Sequence, residues 1–442
     1  MPSRPAASPP FSFDGYLSRI PTIDPAPMTG HVVRVVGLLV ESVGPAASVG
    51  EICEVRTGRG LTLAVEVVGF RDGRLLSVPL GETTGIRPGD RIVRSGSTLT
   101  VPVGEALIGR VIDGLGQPID GLPAPVTTGT APLRPAAINP MAREPVSVPI
   151  GTGVRAIDAL LTCGRGQRIG VFGGSGVGKS TLLGMMARGT EADVVVLGLI
   201  GERGREVRSF LERDLGPRGR ERSVVVVSTS DSPPLARLRA AYAATAIAES
   251  FRDAGKHVLL MMDSITRFAM AQREVGLAAG EPPTSKGYPP SAFARLPGLL
   301  ERAGAMRGRG SITAFYTVLV EGDDQNEPVA DSVRAILDGH IVLSRDLAAR
   351  NHYPAIDILH SVSRTMPDVT SPEHRRRAGD VREWLATLRD SEDLISVGAY
   401  VPGSNPRIDG ALARRDAVGR FLCQSADTGD RLADALQALN AL

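Results

Sequence analysis

Length, composition and charge limit what this chain can be. Its 442 residues are enough for two or three domains, and a hydrophobic content of 42%, a charged content of 22% and a mean hydropathy of +0.03 are those of a soluble globular protein. The net charge of +2 excludes the large electrostatic field with which some proteins hold nucleic acid by charge alone.

Cysteine usage and hydropathy indicate the compartment. The cysteines, Cys53, Cys163 and Cys423, are scattered, odd in number and outside any metal-ligand spacing, which favours reduced thiols in a cytosolic protein. No apolar run approaches the roughly 20 residues that span a bilayer, and the N-terminus lacks a hydrophobic signal core. We therefore expect a cytoplasmic protein whose association with any membrane is peripheral.

The N-terminal segment, residues 1–28, is rich in Pro, Ala and Ser and is predicted to be flexible. Within it Tyr16, Leu17 and Ile20 share one helical face, which could dock onto a partner helix. A loose tail is the alternative.

Residues 29–103 are predicted to form a small β-barrel domain. Short apolar runs predict strands at 32–40, 52–56, 61–70, 75–78 and 91–101, and Asp72-Gly73 predicts a hairpin turn. An oligonucleotide-binding barrel would expose aromatic rings for base stacking, but Phe70 is the segment's one aromatic residue. We therefore favour a structural or oligomer-collar role and expect no nucleic-acid partner.

The next domain, residues 104–370, is predicted to begin with an ordered linker, because residues 104–149 are dense in Gly and Pro. Residues 173–180 then fit the phosphate-loop pattern G-x-x-x-x-G-K-[ST]. An apolar strand at 169–172 precedes the loop and a helix at 181–188 follows it, as in a nucleotide site. A chance glycine turn is the alternative, which this context disfavours.

The loop residues have chemical roles that follow from their type. Backbone N–H groups turned inward by glycines would wrap a polyphosphate, Lys179 would reach the outer phosphates, and the Ser180 hydroxyl would ligate Mg²⁺. The predicted nucleotide-binding residues of the loop are Gly173, Gly174, Ser175, Gly176, Val177, Gly178, Lys179, Ser180 and Thr181.

Two acidic residues end later buried strands. Asp263 follows the apolar run 258–262, where a phosphate-loop protein places the carboxylate that holds Mg²⁺. Glu202 follows the run 194–200 and could polarise the attacking water as a general base. From spacing alone, an ion pair of Glu202 with Arg203 or Arg205 is equally well supported.

Helix-start signals divide the rest of the chain. Ser232-Pro233-Pro234 predicts a helix that ends near Gly255. The last domain, residues 371–442, is predicted to be mostly helical, with one helix starting at Ser371-Pro372 and another at Thr428. Its basic run at 374–377 is interpreted as a solvated face.

Longer strings resemble one known family closely. Gly-Glu-Arg-Gly-Arg-Glu at 201–206, Asp-Ser-Ile-Thr-Arg-Phe-Ala-Met-Ala-Gln-Arg-Glu at 263–274 and Leu-Glu-Arg-Ala-Gly at 300–304 resemble the ATPases of bacterial type III export systems. These share the fold of the rotary ATP synthase catalytic subunits. The resemblance implies a P-loop, RecA-like α/β core with a parallel sheet, an N-terminal β-barrel and a small C-terminal helical domain. The strings at 321–325 and 335–345 look more like the flagellar branch than the virulence branch.

The same resemblance implies further site residues. It resolves the role of Glu202, because the Gly-Glu-Arg string carries the catalytic glutamate in active relatives, and Arg203 is similar to the partner beside that acid. Arg364, in Ser-Val-Ser-Arg at 361–364, is similar to an arginine finger that reaches a neighbouring subunit. Tyr353 looks like the aromatic residue that stacks on adenine, with a buried core tyrosine as the alternative.

The function implied is Mg²⁺-dependent ATP hydrolysis by a homohexameric ring that energises export of flagellar proteins. The implied partners are a stator-like regulator, a central stalk contacted by the proline-rich loop at 281–290, a membrane export gate at the inner face of the cytoplasmic membrane, and export substrates with their chaperones. The alternatives are a virulence secretion ATPase, a rotary ATP synthase subunit, an RNA translocase, and a nucleotide-binding subunit without turnover.

Overall fold

The computed structural model describes residues 28–58, 60–320 and 327–442. It divides into two compact units, of which the first holds the residues up to Pro79 and Thr83–Thr98 and the second holds Leu80–Glu82 and Leu99–Leu442. The helical face predicted at Tyr16, Leu17 and Ile20 and the flagellar-type string at 321–325 lie outside the described residues.

The first unit is a closed β-barrel with strand order β1-β2-β5-β4-β3-β6. Its core holds the inward-facing Val40, Val55, Val65 and Val67, which are fully buried. Asp72 and Gly73 have φ angles of +49° and +73°, as the predicted hairpin turn between β4 and β5 requires. The strands are β1 Thr29–Val36, β2 Leu39–Val43, β3 Glu51–Arg56, β4 Thr62–Arg71, β5 Arg74–Pro79 and β6 Arg91–Thr98.

Two of the predicted barrel strands are wrong in their extent. The run at 32–40 is a hairpin, because Gly37 has a φ of +57° and turns the chain between β1 and β2. The run at 91–101 is divided after Thr98, and β7 (Thr100–Val103) pairs with β9 (Gly129–Pro132) in the second unit.

The second unit is built on a ten-stranded sheet whose main path runs β20-β19-β13-β18-β16-β14-β15-β8. Neighbouring strands from β19 to β8 are parallel, while β20 is antiparallel to β19. The strands are β8 Val111–Asp113, β10 Arg143–Glu144, β13 Arg168–Gly173, β14 Val194–Glu202, β15 Ser223–Thr229, β16 His257–Asp263, β17 Gly304–Met306, β18 Ser311–Leu319, β19 Gly339–Leu343 and β20 Ile356–Ser363; β11 (Pro149–Ile150) pairs separately with β12 (Cys163–Gly164).

The prediction of a linker over residues 104–149 is partly wrong. Val111 and Ile112 are buried, and β8 forms the edge of the sheet beside β15. The strand has three residues and lies between Gly109 and Gly114. A strand of this length is too short to show a hydrophobic period in the sequence.

Helices cover the sheet and form the C-terminal part of the unit. They are α1 Arg155–Leu160, α2 Lys179–Gly189, α3 Gly204–Ser209, α4 Gly216–Arg220, α5 Pro234–Asp253, α6 Ile265–Ala279, α7 Pro290–Leu300, α8 Pro328–Ile336, α9 Arg345–Ala349, α10 Met366–Val369, α11 Pro372–Asp390, α12 Glu392–Ser396, α13 Pro406–Leu422 and α14 Leu432–Asn440, with a π-helical turn at Phe210–Leu215.

The helix-start predictions are confirmed at two of three places. Helix α5 begins at Pro234, and α11 begins after Ser371, whose side chain accepts a hydrogen bond from the His374 N–H. The last helix begins at Leu432, four residues after the predicted Thr428. The described cysteines are free thiols, as predicted.

The described helices include none with the length and apolar composition needed to cross a membrane.

Candidate active site

The parallel strands bring the predicted loop and both predicted carboxylates to one edge of the sheet. Strand β13 ends at Gly173, β14 at Glu202 and β16 at Asp263, and carboxyl ends of parallel strands lie at the same edge. Strands β14 and β16 are direct neighbours, with Leu199 paired to Asp263.

The phosphate loop runs from Gly173 to the start of α2 at Lys179. Gly176 and Gly178 have φ angles of +80° and +92°, which residues with side chains rarely adopt. The loop can therefore turn its backbone N–H groups inward, as a cradle for phosphate requires.

The Lys179 side chain points back into this loop. Its Nζ donates hydrogen bonds to the carbonyl oxygens of Gly173, at 3.0 Å, and Gly174. Burial lowers the pKa of Lys179 from its ordinary value, and the charges of Asp263 and Glu202 counteract this effect. Bound phosphate oxygens would be stronger partners for the ammonium group than these neutral carbonyls.

Asp263 and Ser180 are the two residues predicted to hold a metal ion. The Asp263 carboxylate is buried, and its Oδ1 accepts a hydrogen bond from the Thr317 hydroxyl at 2.5 Å. Burial raises the pKa of Asp263, while Thr317, Lys179 and Arg267 act in the opposite direction. Ser180 is exposed at the start of α2. These donors fit Mg²⁺, which binds proteins through one or two oxygen ligands and retains waters and phosphate oxygens.

Removing the hydroxyl of Thr317 should weaken Mg²⁺ binding at this candidate site. In Thr317→Val the Asp263 carboxylate loses the hydrogen bond from the Thr317 hydroxyl that fixes its orientation. Loss of a hydrogen bond that orients a metal ligand typically reduces metal affinity by about 10- to 100-fold. We expect the Mg²⁺ concentration for half-maximal ATP hydrolysis to rise about tenfold. Thr317→Ser keeps the hydroxyl and should behave like the parent, and an unchanged Mg²⁺ requirement in the Val variant would contradict this role.

Glu202 is half-buried at the end of β14, and it is a weaker acid than an ordinary glutamate. Burial, followed by the negative charge of Asp263 and a hydrogen bond with Glu206, raises the pKa of Glu202 to about 8. Arg203 pairs with Glu206, at 3.1 Å, and not with Glu202. A carboxylate whose pKa is about 8 can act as a general base near neutral pH, which is the role predicted for Glu202.

The rate should follow the titration of Glu202. Only the carboxylate form can accept a proton, so kcat/KM for ATP, which reports the free enzyme, should rise with pH and level off above about 8. Glu206 raises this pKa, so Glu206→Gln should shift the midpoint to lower pH. A kcat/KM that is flat between about pH 6 and 9 would contradict the assignment.

Two charged residues of this site were not predicted to have a role. Arg267 lies one helical turn after Asp263, and its positive charge lowers the pKa of both Glu202 and Asp263. Its Nε is buried and has no hydrogen-bond partner within the described part of the chain. Glu206 lies one turn after Glu202. The sequence signal was their four-residue spacing from each strand-terminal acid.

Tyr353 lies beside the phosphate loop. Two of its ring carbons are 3.7 Å from the position that a Cβ atom would take at Gly178. The residue is 42% exposed, which excludes the alternative of a buried core tyrosine. A partly exposed ring at this distance from a phosphate loop can stack on a nucleobase.

Arg364 lies near the amino-terminal ends of β13 and β19, whereas the phosphate loop follows the carboxyl end of β13. It follows the end of β20, where Ser363 pairs with Gly339 at the start of β19, and its backbone N–H donates to the Asp338 carbonyl oxygen. At about 3.3 Å per residue, this point is roughly 15 Å from the loop along β13. The Arg364 side chain is exposed. Its guanidinium is thus too distant for the phosphate loop of its own chain.

Family models match three successive parts of the chain. Residues 32–96 match the beta-barrel domain of the ATP synthase alpha/beta family, residues 153–363 match the nucleotide-binding domain of that family, and residues 370–441 match the T3SS EscN ATPase C-terminal domain. The predicted fold class is confirmed by these matches.

Whole-chain similarity is high to proteins of two export systems. The chain is 54% identical over 415 residues to the flagellum-specific ATP synthase of Bacillus subtilis, which covers 93% of this chain and 94% of that protein. It is 52% identical over 414 residues to the type 3 secretion system ATPase of Xanthomonas euvesicatoria, covering 93% of each.

Solved structures agree with this similarity. The assembled ATPase EscN from the enteropathogenic E. coli type III secretion system matches with a TM-score of 0.88 and 45% identity, covering 93% of this chain and 99% of that chain. EscN in complex with its central stalk EscO matches with a TM-score of 0.86 and 44% identity over the same shares. The chain therefore belongs to the ATP synthase alpha/beta family, within the group of flagellum-specific and type III secretion ATPases.

Proposed function

We propose that this ATPase works as a ring of identical subunits, a hexamer, and energises the export of flagellar proteins. The observation that carries the proposal is that the predicted site residues lie at opposite ends of the parallel strands. Lys179, Glu202 and Asp263 lie at the carboxyl ends, while Arg364 lies at the amino-terminal ends. A complete site then needs the finger of a neighbouring copy.

The chemistry proposed is hydrolysis of ATP to ADP and phosphate. A water molecule attacks the γ-phosphorus, the bond from this phosphorus to the bridging oxygen breaks, and the Glu202 carboxylate accepts the proton of the water. Lys179 and the neighbour's finger stabilise the charge on the transferred phosphoryl oxygens. Arg203 pairs with Glu206, which in turn hydrogen-bonds Glu202, so the role of Arg203 is to order the Glu202 carboxylate that acts as the base.

The metal proposed for this site is Mg²⁺. Ser180 and Asp263 would hold it, with Thr317 orienting the Asp263 carboxylate. When bound, the ion would neutralise part of the phosphate charge. Residues 173–181 would bind the phosphates, and Tyr353 would stack on the adenine.

The proposed ring would work with several partner proteins. A central stalk is supported by EscN, which has been solved with its stalk EscO. The loop at 281–290 would line the central opening where the stalk sits. The other partners proposed are a stator-like regulator, the membrane export gate, export substrates and their chaperones.

We propose that the protein is cytoplasmic and peripheral to the inner face of the cytoplasmic membrane. The domain limits proposed are 1–28, 29–103, 104–370 and 371–442.

A second candidate is a virulence secretion ATPase. It is favoured by the Xanthomonas euvesicatoria relative, whose identity of 52% is close to the 54% of the flagellar relative. Deleting the gene and scoring flagellar filaments and swimming separates the two. Loss of filaments that the wild-type gene restores and a Glu202→Gln copy does not would support flagellar export, whereas normal filaments would favour the alternative.

A further inference from the structure

Gln424 joins the C-terminal helices to the nucleotide-binding part of the second unit. It follows α13 and is 6% exposed. Its side-chain oxygen accepts a hydrogen bond from the Arg155 N–H at 2.8 Å, and its side-chain nitrogen donates to the carbonyl oxygens of Gly153, at 2.9 Å, and Thr428, at 3.0 Å. Both donor hydrogens and the acceptor of the amide are thus in use.

The backbone of the same residue reaches Tyr353. The Gln424 N–H donates to the Tyr353 carbonyl oxygen at 2.9 Å. The Tyr353 ring is the group that lies beside Gly178 of the phosphate loop. A continuous set of hydrogen bonds therefore runs from the segment at Gly153 through Gln424 to the aromatic residue at the loop.

We infer that Gln424 is a positioning residue for the nucleobase. Its side chain fixes the backbone that holds Tyr353, so Tyr353 keeps its ring in place to stack on a base whose phosphates occupy the loop. The inference rests on the proposed function in requiring a nucleotide at this loop. The hydrogen bonds described for Gln424 go to Gly153, Arg155, Thr428 and Tyr353 and to no residue of the phosphate loop, so its contribution should be confined to ligands that carry a base.

The substitution Gln424→Glu tests this with little change of shape. It keeps the oxygen that faces Arg155 but replaces the donor nitrogen with an oxygen facing the carbonyl oxygens of Gly153 and Thr428. Two attractive contacts in a buried place become repulsive, so the segment that holds Tyr353 should shift. Gln424→Met removes the hydrogen bonds without adding repulsion and serves if the Glu variant does not fold.

The measurement compares two competitive inhibitors of ATP hydrolysis. ADP carries a base and pyrophosphate does not. In Gln424→Glu or Gln424→Met we expect the inhibition constant of ADP to rise about tenfold, the size of a lost stacking contact, and that of pyrophosphate to stay within about twofold. Asp430→Asn is the matched control, because it removes the 2.7 Å ion pair with Arg155 at the same junction and leaves the bonds of Gln424 intact; both constants should stay unchanged.

A double variant shows whether Gln424 acts through Tyr353. Tyr353→Ala should raise the ADP constant by itself, and adding Gln424→Glu should then have little further effect. Equal rises for ADP and pyrophosphate, no rise for either, or additive effects in the double variant would overturn the inference. If Tyr353→Ala leaves the ADP constant unchanged, this inference fails while the proposed ATPase function stands, because the latter depends on Glu202 and not on Tyr353.

Discussion

Replacing Glu202 with Gln should lower kcat for ATP hydrolysis by about 10²- to 10⁴-fold while ATP still binds. Glutamine has nearly the same shape, but it cannot accept the proton of the attacking water. The Glu202 carboxylate lies at the end of β14, next to the strand that ends in Asp263. Its pKa of about 8 is close to neutral pH, as an efficient general base requires. Single-turnover hydrolysis and equilibrium binding of ATP, measured on the same preparation, separate the loss of chemistry from a loss of binding.

A nearby glutamate provides the control for this experiment. Glu212 lies exposed on the π-helical turn and pairs with Arg208 at 2.8 Å, with side-chain exposures of 61% and 82%. An exposed pair of this kind contributes little to stability, so Glu212→Gln should hydrolyse ATP at the parent rate. A Glu202→Gln variant with near-parent turnover would show that another group activates the water.

The edge of the sheet that carries the site could be predicted from the sequence. The phosphate loop, Glu202 and Asp263 each follow a continuous apolar run, and such runs are buried parallel strands whose ends meet. The roles of Arg267 and Glu206 were not predictable in the same way. Their effects on the pKa values of the two acids arise because α6 and α3 begin within two residues of the ends of β16 and β14. A list of spacings does not distinguish such residues from ordinary exposed charges.

Two other features show where sequence patterns fail for physical reasons. Strand β8 has three residues and is stabilised by pairing with β15, so its position depends on contacts distant in sequence and leaves no local period. The junction at Gln424 joins residues more than 250 positions apart. An amide with every hydrogen bond satisfied has no signature in composition or spacing, and only the folded chain reveals it.

The contribution proposed for Arg364 could not be predicted from periodicity or spacing, because it would be made to a second copy of the chain. The guanidinium donates a hydrogen bond to the Leu337 carbonyl oxygen at 3.3 Å, next to Asp338, which pairs with Arg168 at the start of β13. The phosphate loop is at the far end of that strand. A finger that enters from a neighbour explains how such a residue can still reach a phosphate.

Arg364→Ala should lower ATP turnover by about 10³- to 10⁵-fold, as expected for loss of an arginine finger. Mixing this variant with the inactive Glu202→Gln variant should restore measurable activity. The Arg364→Ala subunit supplies an intact Glu202, and its Glu202→Gln neighbour supplies an intact Arg364, so some shared sites become complete. Arg376→Ala, which removes an exposed arginine of the C-terminal domain, should leave turnover unchanged. If the mixed variants stay inactive although they co-assemble, or if specific activity is constant down to dilute monomer, Arg364 does not act between subunits and the site must be completed within one chain.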